Sequence, residues 1–577
     1  LERINVIRGG GGIQYGTQMG GMLDYVLVQP GPERLQGRWA TTLGMFGLVD
    51  VFGMVHGTLD TGVTYRSWLT HRRADGWRQN GSYDAGSAHI GMMFPLAGGR
   101  LGIEVTGLWF TERMPNGLTQ DQYDADSRSS FRPRDWFAGP RIMPAVMYTV
   151  DVSPTLTWAT HVSGLLGDRN SISLTTSTAV ADSGTNPRRV NLDAFANVLA
   201  ESRLAWSASS DLRVIGGMRG GVTQTIRKQG RGPDGTDYTT AIVDTATIDL
   251  DLRSNVMAAF AEAEWRAGQD ITLTGGARVE VINSTADGFY GPQQPHTSPD
   301  AWRPAGPRTA LNSSSTAVVP LFSAGIEYAL TPFRKVFFNA SQSYRPLFYA
   351  QQFPYDGIRV DPSITPSRGL LFEGGYVGPL VTAEDGSNIV EGALTVYSLL
   401  YADRVGVLRD ANGERVRTNA GSSIHRGTEL SFHASLVQRN DVAIAIRGSA
   451  SFLVARYTSG PAEGKRVEFA PASTIRPALL VRVGPVMASV GLSYMSGVFS
   501  DAANTQVDPS GQFGWVDASA LLDASLEVHL GGGMRVSASI MNAADVRYHT
   551  LRATVYPGPG ILPGDGRTAM LTLRQDW

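Results

Sequence analysis

The feature that most constrains this chain is an alternation of apolar and polar side chains with a period of two. From Thr428 to Leu436, Leu430, Phe432, Ala434 and Leu436 fall on one face and Glu429, Ser431, His433 and Ser435 on the other. Leu522, Ala524, Leu526, Val528 and Leu530 alternate in the same way with Asp523, Ser525, Glu527 and His529, and Met534 to Ile540 resumes the pattern after Gly531 to Gly533. Successive side chains of a strand point to opposite faces, so the pattern predicts strands, and the two runs about the glycines predict a hairpin.

Strands of this kind build either a soluble sandwich or a closed barrel whose apolar face meets lipid. No stretch approaches the roughly 18 apolar residues of a membrane helix, so a membrane chain of this sequence has to close its strands into a barrel. Charged residues are only 18%, below the roughly 25% of soluble domains, and glycine numbers 67. The alternating runs point to spans of about nine to eleven residues, the tilted crossing of a bilayer, rather than the roughly five or six of most soluble strands. Polar excursions at Met114 to Pro140, Arg227 to Tyr238 and Phe289 to Thr316 alternate with short turns, as in barrels with one short-turn rim and one long-loop rim. Thr568 to Trp577 alternates up to a terminal aromatic, with Ala569, Leu571, Leu573 and Trp577 on one face and Thr568, Thr572, Arg574 and Asp576 on the other.

Other classes find little support. Fifty basic residues against 52 acidic ones give a net charge of -2, with no basic tail for nucleic acid. With no cysteine there is neither a disulfide framework nor a thiolate metal site. The nine histidines show no H-x-x-x-H pair or zinc-like spacing, so no metal or cofactor is expected. No serine elbow, paired catalytic carboxylates or nucleophilic cysteine marks an enzyme.

The segment Leu1 to Gly16 delivers a strand-like run into four glycines, Gly9 to Gly12. Such a cluster can cradle a phosphate ahead of a helix or form a tight turn. Ile13 to Pro30 does not read as a helix, since Gly16, Gly20 and Gly21 would each cost roughly 1 kcal/mol inside one. The tight turn is the better reading.

In Leu1 to Pro30 the residues Glu2, Ile4, Val6, Arg8, Gly9, Tyr15, Gly16, Gly20, Gly21, Tyr25, Val26 and Pro30 fall in a fixed order. That order resembles the end of the plug domain of TonB-dependent outer-membrane receptors. Met114 to Leu118, Tyr123 to Asp126 and Arg132 to Asp135 resemble a loop of the ferric-citrate branch of that family. Phe499 to Thr505 and Pro563 to Thr568 are similar to two of its later segments.

The resemblance implies an all-β fold: a large transmembrane antiparallel β-barrel of about 22 strands in the bacterial outer membrane, occluded by an N-terminal plug. Residues 1–30 would be the C-terminal end of the plug and 31–577 the barrel with long extracellular loops. Its expected partners are an anionic ferric chelate such as ferric citrate, outer-membrane lipid, the barrel assembly machinery that reads an outward terminal aromatic such as Trp577, and the TonB–ExbB–ExbD complex. The last would act through plug residues ahead of Leu1, and no nucleic acid is expected.

Rough alignment places Arg169 and Arg188 on family positions that contact the chelate. Arg409 stands where a family glutamine falls, Arg253 lies near a third arginine position occupied by Leu250, and Pro557 lies near a late asparagine. Guanidinium groups suit such a ligand because they match carboxylate geometry and stay charged. For the plug, the resemblance implies pairing of Arg8 with wall glutamates at Glu373 and Glu429. Arg128, Arg132 and Arg134 are expected to shape their own loop through Asp124, Asp126 or Asp135. A barrel of the same lineage for another ligand, and a structural outer-membrane barrel without active uptake, are the competing readings.

Overall fold

The computed structural model describes residues 2–7, 13–16, 19, 21–174, 178–184, 188–232, 242, 246–291, 308–347, 358–383, 388–410, 414–554 and 556–577. Their dominant element is a closed antiparallel barrel of 22 strands, running from Gln36–Gly44 to Thr568–Asp576. The ring closes where the last strand pairs with the first, Thr41 opposite Leu573 and Leu43 opposite Leu571. Closure leaves no unpaired edge, which strands in lipid require.

One rim carries short connections, such as 97–98, 154–155, 332–333, 484–485 and 532–533 between successive strands. Most connections at the other rim are long. The predicted hairpin is present as Ser519–Gly531 and Met534–Met541, where Gly531, Gly532 and Gly533 all hold positive φ.

Alternation along each strand sorts side chains to lipid or lumen. Leu166, Val198, Met218, Met257 and Phe322 are exposed on the outer face, while their neighbours of opposite parity face inward. Near the short-turn rim the outer face carries Trp39, Trp158, Trp206, Trp265, Tyr328 and Trp577, an aromatic girdle of the kind that marks a membrane interface. Trp577 also exchanges backbone hydrogen bonds with Gly37, at 3.0 and 3.1 Å. Its indole lies where a side chain at Gly37 would sit, so a glycine is needed there for close approach.

The strands differ from the expected spans in one respect. Those from Leu156–Leu174 to Thr309–Thr331 run to 19–23 residues, about twice what a bilayer needs. Their outer thirds continue the sheet beyond the lipid, so two of the expected excursions are shorter than predicted. Arg227 lies inside the strand Leu212–Gly232, and 309–316 lie inside Thr309–Thr331. Polar side chains read as loop because that part of the sheet is wet on both faces.

At the N-terminus, Arg3–Ile7 and Met22–Val26 pair as a two-stranded sheet apart from the barrel. The chain between and after them meets the inner wall. Ile13 is buried against Val319 and Leu321, and the Ser343 hydroxyl donates to the Met19 sulfur at 3.0 Å.

Candidate functional site

Two places on the lumenal wall bring charged side chains together, one near the long-loop rim and one against the N-terminal segment. At the rim, Arg169, Asp193 and Arg227 sit opposite one another on three successive strands, Leu156–Leu174, Arg188–Ser207 and Leu212–Gly232. All three have lumenal parity. Arg227 holds Asp193 with two hydrogen bonds, at 2.7 and 2.8 Å, and Arg169 approaches the same carboxylate at 3.2 Å. Asp193 is sealed, whereas the Arg169 side chain is 48% exposed. One carboxylate therefore steadies two guanidiniums, and Arg169 remains open on its other side. Tyr556, in the connection 542–567, lies in the field of this arginine. Burial pushes its phenol up from the ordinary value, Glu112 adds to the rise and Arg169 opposes it.

Arg188 is placed differently. It shares the parity of the outward residues Val190 and Val198, is fully buried, and donates to Asp135 at 2.9 Å and to the Arg134 carbonyl. Asp135 also accepts from the Leu174 amide at 2.9 Å. Burial lifts the Asp135 carboxyl to about 6, against the opposing pull of Arg188. This is a clamp between two connections, and it leaves Arg188 no open face for a ligand. Arg253 also points outward, paired with Asp251 at 2.8 Å. Arg409 ends the strand Val405–Arg409, and its side chain lies outside the described residues.

The Asp-rich connection 114–140 is built by the residues that make it recognisable. Thr119 and Gln122 form a reciprocal cap on the helix Gln120–Ala125, and Tyr123 packs with Leu118 and Ile561. Leu118 and Ile561 exchange backbone hydrogen bonds at 2.9 and 2.7 Å, and Arg547 stacks on Tyr123 while pairing with Asp124. Loops sixteen strand positions apart in sequence are thus joined across the barrel seam. Within the loop, Arg134 finds its carboxylate in the next connection, at Asp182, rather than in its own. Arg132 donates to the Val180 carbonyl at 2.7 Å, and Arg128 to the Trp77 carbonyl at 3.0 Å. The Asp501 side chain accepts from the amides of Ala503 and Thr505, so the Phe499 to Thr505 segment is likewise a turn-building unit.

Among the described residues, three wall arginines reach the N-terminal segment, each backed by a glutamate. Arg66 donates to the Val28 carbonyl at 3.1 Å and pairs with Glu104 at 3.2 Å. Arg219 donates to the Tyr15 carbonyl at 2.8 Å and to Glu201 at 2.7 Å. Arg278, with Glu280 at 2.6 Å, reaches the Gln14 carbonyl at 3.4 Å. The expected pairing of Arg8 lies outside the described residues. Glu373 and Glu429 do face the lumen, on strands either side of Asn388–Ala402, with Glu373 opposite Tyr397 and Glu429 opposite Thr395. Glu373 is buried and accepts from Asn339 at 3.1 Å. Glu373 and Glu429 stand seven and nine strands round the barrel from Arg169.

Sequence reasoning missed Asp193, Arg227 and the three wall arginines. Their parity was available once the strands were delimited, but their partners lie on other strands. No group of three or more metal-ligating side chains occurs among the described residues.

A 22-stranded barrel holding chain within its lumen is the architecture of plugged outer-membrane receptors. The chain belongs to the TonB dependent receptor-like β-barrel family, whose model matches residues 64–543, and that family is one of receptors and transporters rather than enzymes. Among solved structures, the ferric citrate transporter FecA in its unliganded form superposes with a TM-score of 0.83 at 18% identity, covering 100% of this chain and 83% of that one. The ferric yersiniabactin uptake receptor FyuA from Yersinia pestis gives 0.79 at 15%, covering 100% and 85%. The copper transporter OprC gives 0.78 at 13%, again covering 100% and 85%. These likenesses concern the fold. No curated protein matches the chain in sequence.

Proposed function

We propose that the protein resides in the bacterial outer membrane and binds an anionic ferric chelate of the ferric-citrate type for energised uptake. The observation that carries this reading is Arg169, half open to the lumen near the long-loop rim and steadied by the carboxylate it shares with Arg227. A preorganised guanidinium supplies charge and paired donors without being neutralised at any working pH. Residues 1–30 act as the end of the plug on which the TonB–ExbB–ExbD complex works, and the lipid-facing Trp577 serves barrel assembly. The FecA likeness supports the ligand class, while the likeness to OprC keeps a different metal complex as the second reading.

Isothermal titration of the purified barrel with ferric dicitrate tests the ligand, and uptake of labelled iron with and without citrate tests transport. Saturable binding weakened by Arg169→Gln supports the reading. Binding that ignores this substitution, or absence of binding beside saturable uptake of a copper complex, sinks it. Separately, the protein is expected to fractionate with outer-membrane vesicles.

A further inference from the structure

One outward arginine has no counter-ion among the described residues. Arg426 is exposed on the strand Ser423–Gln438 and has the parity of the lipid-facing Leu436. It makes no ion pair or hydrogen bond among the described residues. Leu436 stands beside the short-turn rim, and ten residues of strand separate it from Arg426. That is about 33 Å of strand, or roughly 25 Å of depth at the usual tilt, the height of the apolar band of such barrels. Arg426 therefore sits at the level of the outer-leaflet headgroups.

The surface beside it is a trough. In register with Arg426 across neighbouring strands stand Phe372, Ser398 and Val454, and one step toward the membrane centre stand Gly374, Val396, Thr428 and Phe452. Gly374 and Ser398 are too small to fill the space between the aromatic rings. They leave an open cleft of about 640 Å³ whose rims are Phe338, Phe372, Phe452 and Val454. An unpaired guanidinium at the edge of hydrocarbon is costly unless an anion meets it, and a phosphate fits its fork best.

We propose that this cleft binds one phosphorylated lipid of the outer leaflet, with its phosphate on Arg426 and an acyl chain along the trough past Val396 and Phe452. The assignment rests on the barrel lying in an outer membrane, but its chemistry is testable in detergent whatever the native membrane. Native mass spectrometry of the purified barrel with dimyristoyl phosphatidic acid or dimyristoyl phosphatidylcholine measures which lipid survives detergent removal. Wild-type protein is expected to retain one phosphatidic acid about ten-fold more than phosphatidylcholine, as befits a charge-assisted contact. Arg426→Gln removes the preference, Arg426→Lys keeps part of it, and Arg439→Gln, in the short turn of the same hairpin, leaves it unchanged.

Heat-modifiable electrophoretic mobility shows that each variant is folded. Phe452→Ala keeps the charge and is expected to lower retention of both lipids. Equal retention of the two lipids by wild type overturns the proposal, as does full phosphatidic acid retention by Arg426→Gln. Loss in Phe452→Ala alone marks a bare acyl contact and overturns the headgroup assignment.

Discussion

A half-open guanidinium and a sealed one answer truncation differently, and Arg169 and Arg188 supply the contrast. Arg169→Gln leaves Asp193 held by Arg227, so the wall is expected to fold normally while affinity for ferric dicitrate falls about ten-fold, the effect of one charge-assisted contact. Titration calorimetry measures it. Arg188→Ala strands Asp135 in a dry clamp, and breaking a buried pair of this kind costs roughly 3–5 kcal/mol. The expected readout is faster hydrogen exchange across 114–140, with any change in ligand affinity secondary to the loosened loop. Unchanged exchange would remove the clamp role. The sequence does not separate these two residues, because both are arginines beside a long connection. Their difference arises from parity: Arg188 shares the outward face of Val190, whereas Arg169 opposes the inward Asp193 across a strand pair.

At the scale of elements, the connections at the long-loop rim behave as coupled pieces. Asp182 joins 175–187 to 114–140 through Arg134. Burial pushes its carboxyl up, but the Arg134 hydrogen bond, the Gly184 amide and the nearby guanidiniums outweigh that and hold it below its ordinary 3.8. A depressed carboxyl contributes stability that is complete above its unfolded value and lost as pH falls through the folded one. The connection is therefore expected to stay docked down to about pH 4 and to loosen below it. Because the chain has no cysteine, a single spin label at Asp121→Cys can follow this, and a mobility transition well above 3.8 would assign the switch elsewhere. Elements were also what the sequence showed best. Alternation over Thr428 to Leu436 and Leu522 to Ile540 is local information, and the strands found there match it. What it concealed was length, since a sheet wetted on both faces past residue 309 carries the same polar composition as a loop.

For the whole molecule, the seam between first and last strands decides whether the barrel closes. Gly37→Val places a branched side chain under the Trp577 indole, so a smaller heat-modifiable folded fraction is expected than in wild type, with Trp577→Ala partly restoring it. No restoration would mean that the glycine serves another purpose. Among the described residues the barrel also holds its N-terminal segment by backbone at three points: Arg66, Arg219 and Arg278 bind the carbonyls of Val28, Tyr15 and Gln14. Replacing all three by Gln is expected to leave the barrel folded while residues 13–30 become open to protease, whereas each single change has little effect. A contact that reads a carbonyl does not depend on the side chain of the residue that offers it, unlike the packing of Ile13 against Val319 and Leu321. The wall also meets a tug as a row of separate stitches rather than one rigid seam. Under axial load such stitches part in succession, so the force needed is set by the strongest single stitch rather than by their sum.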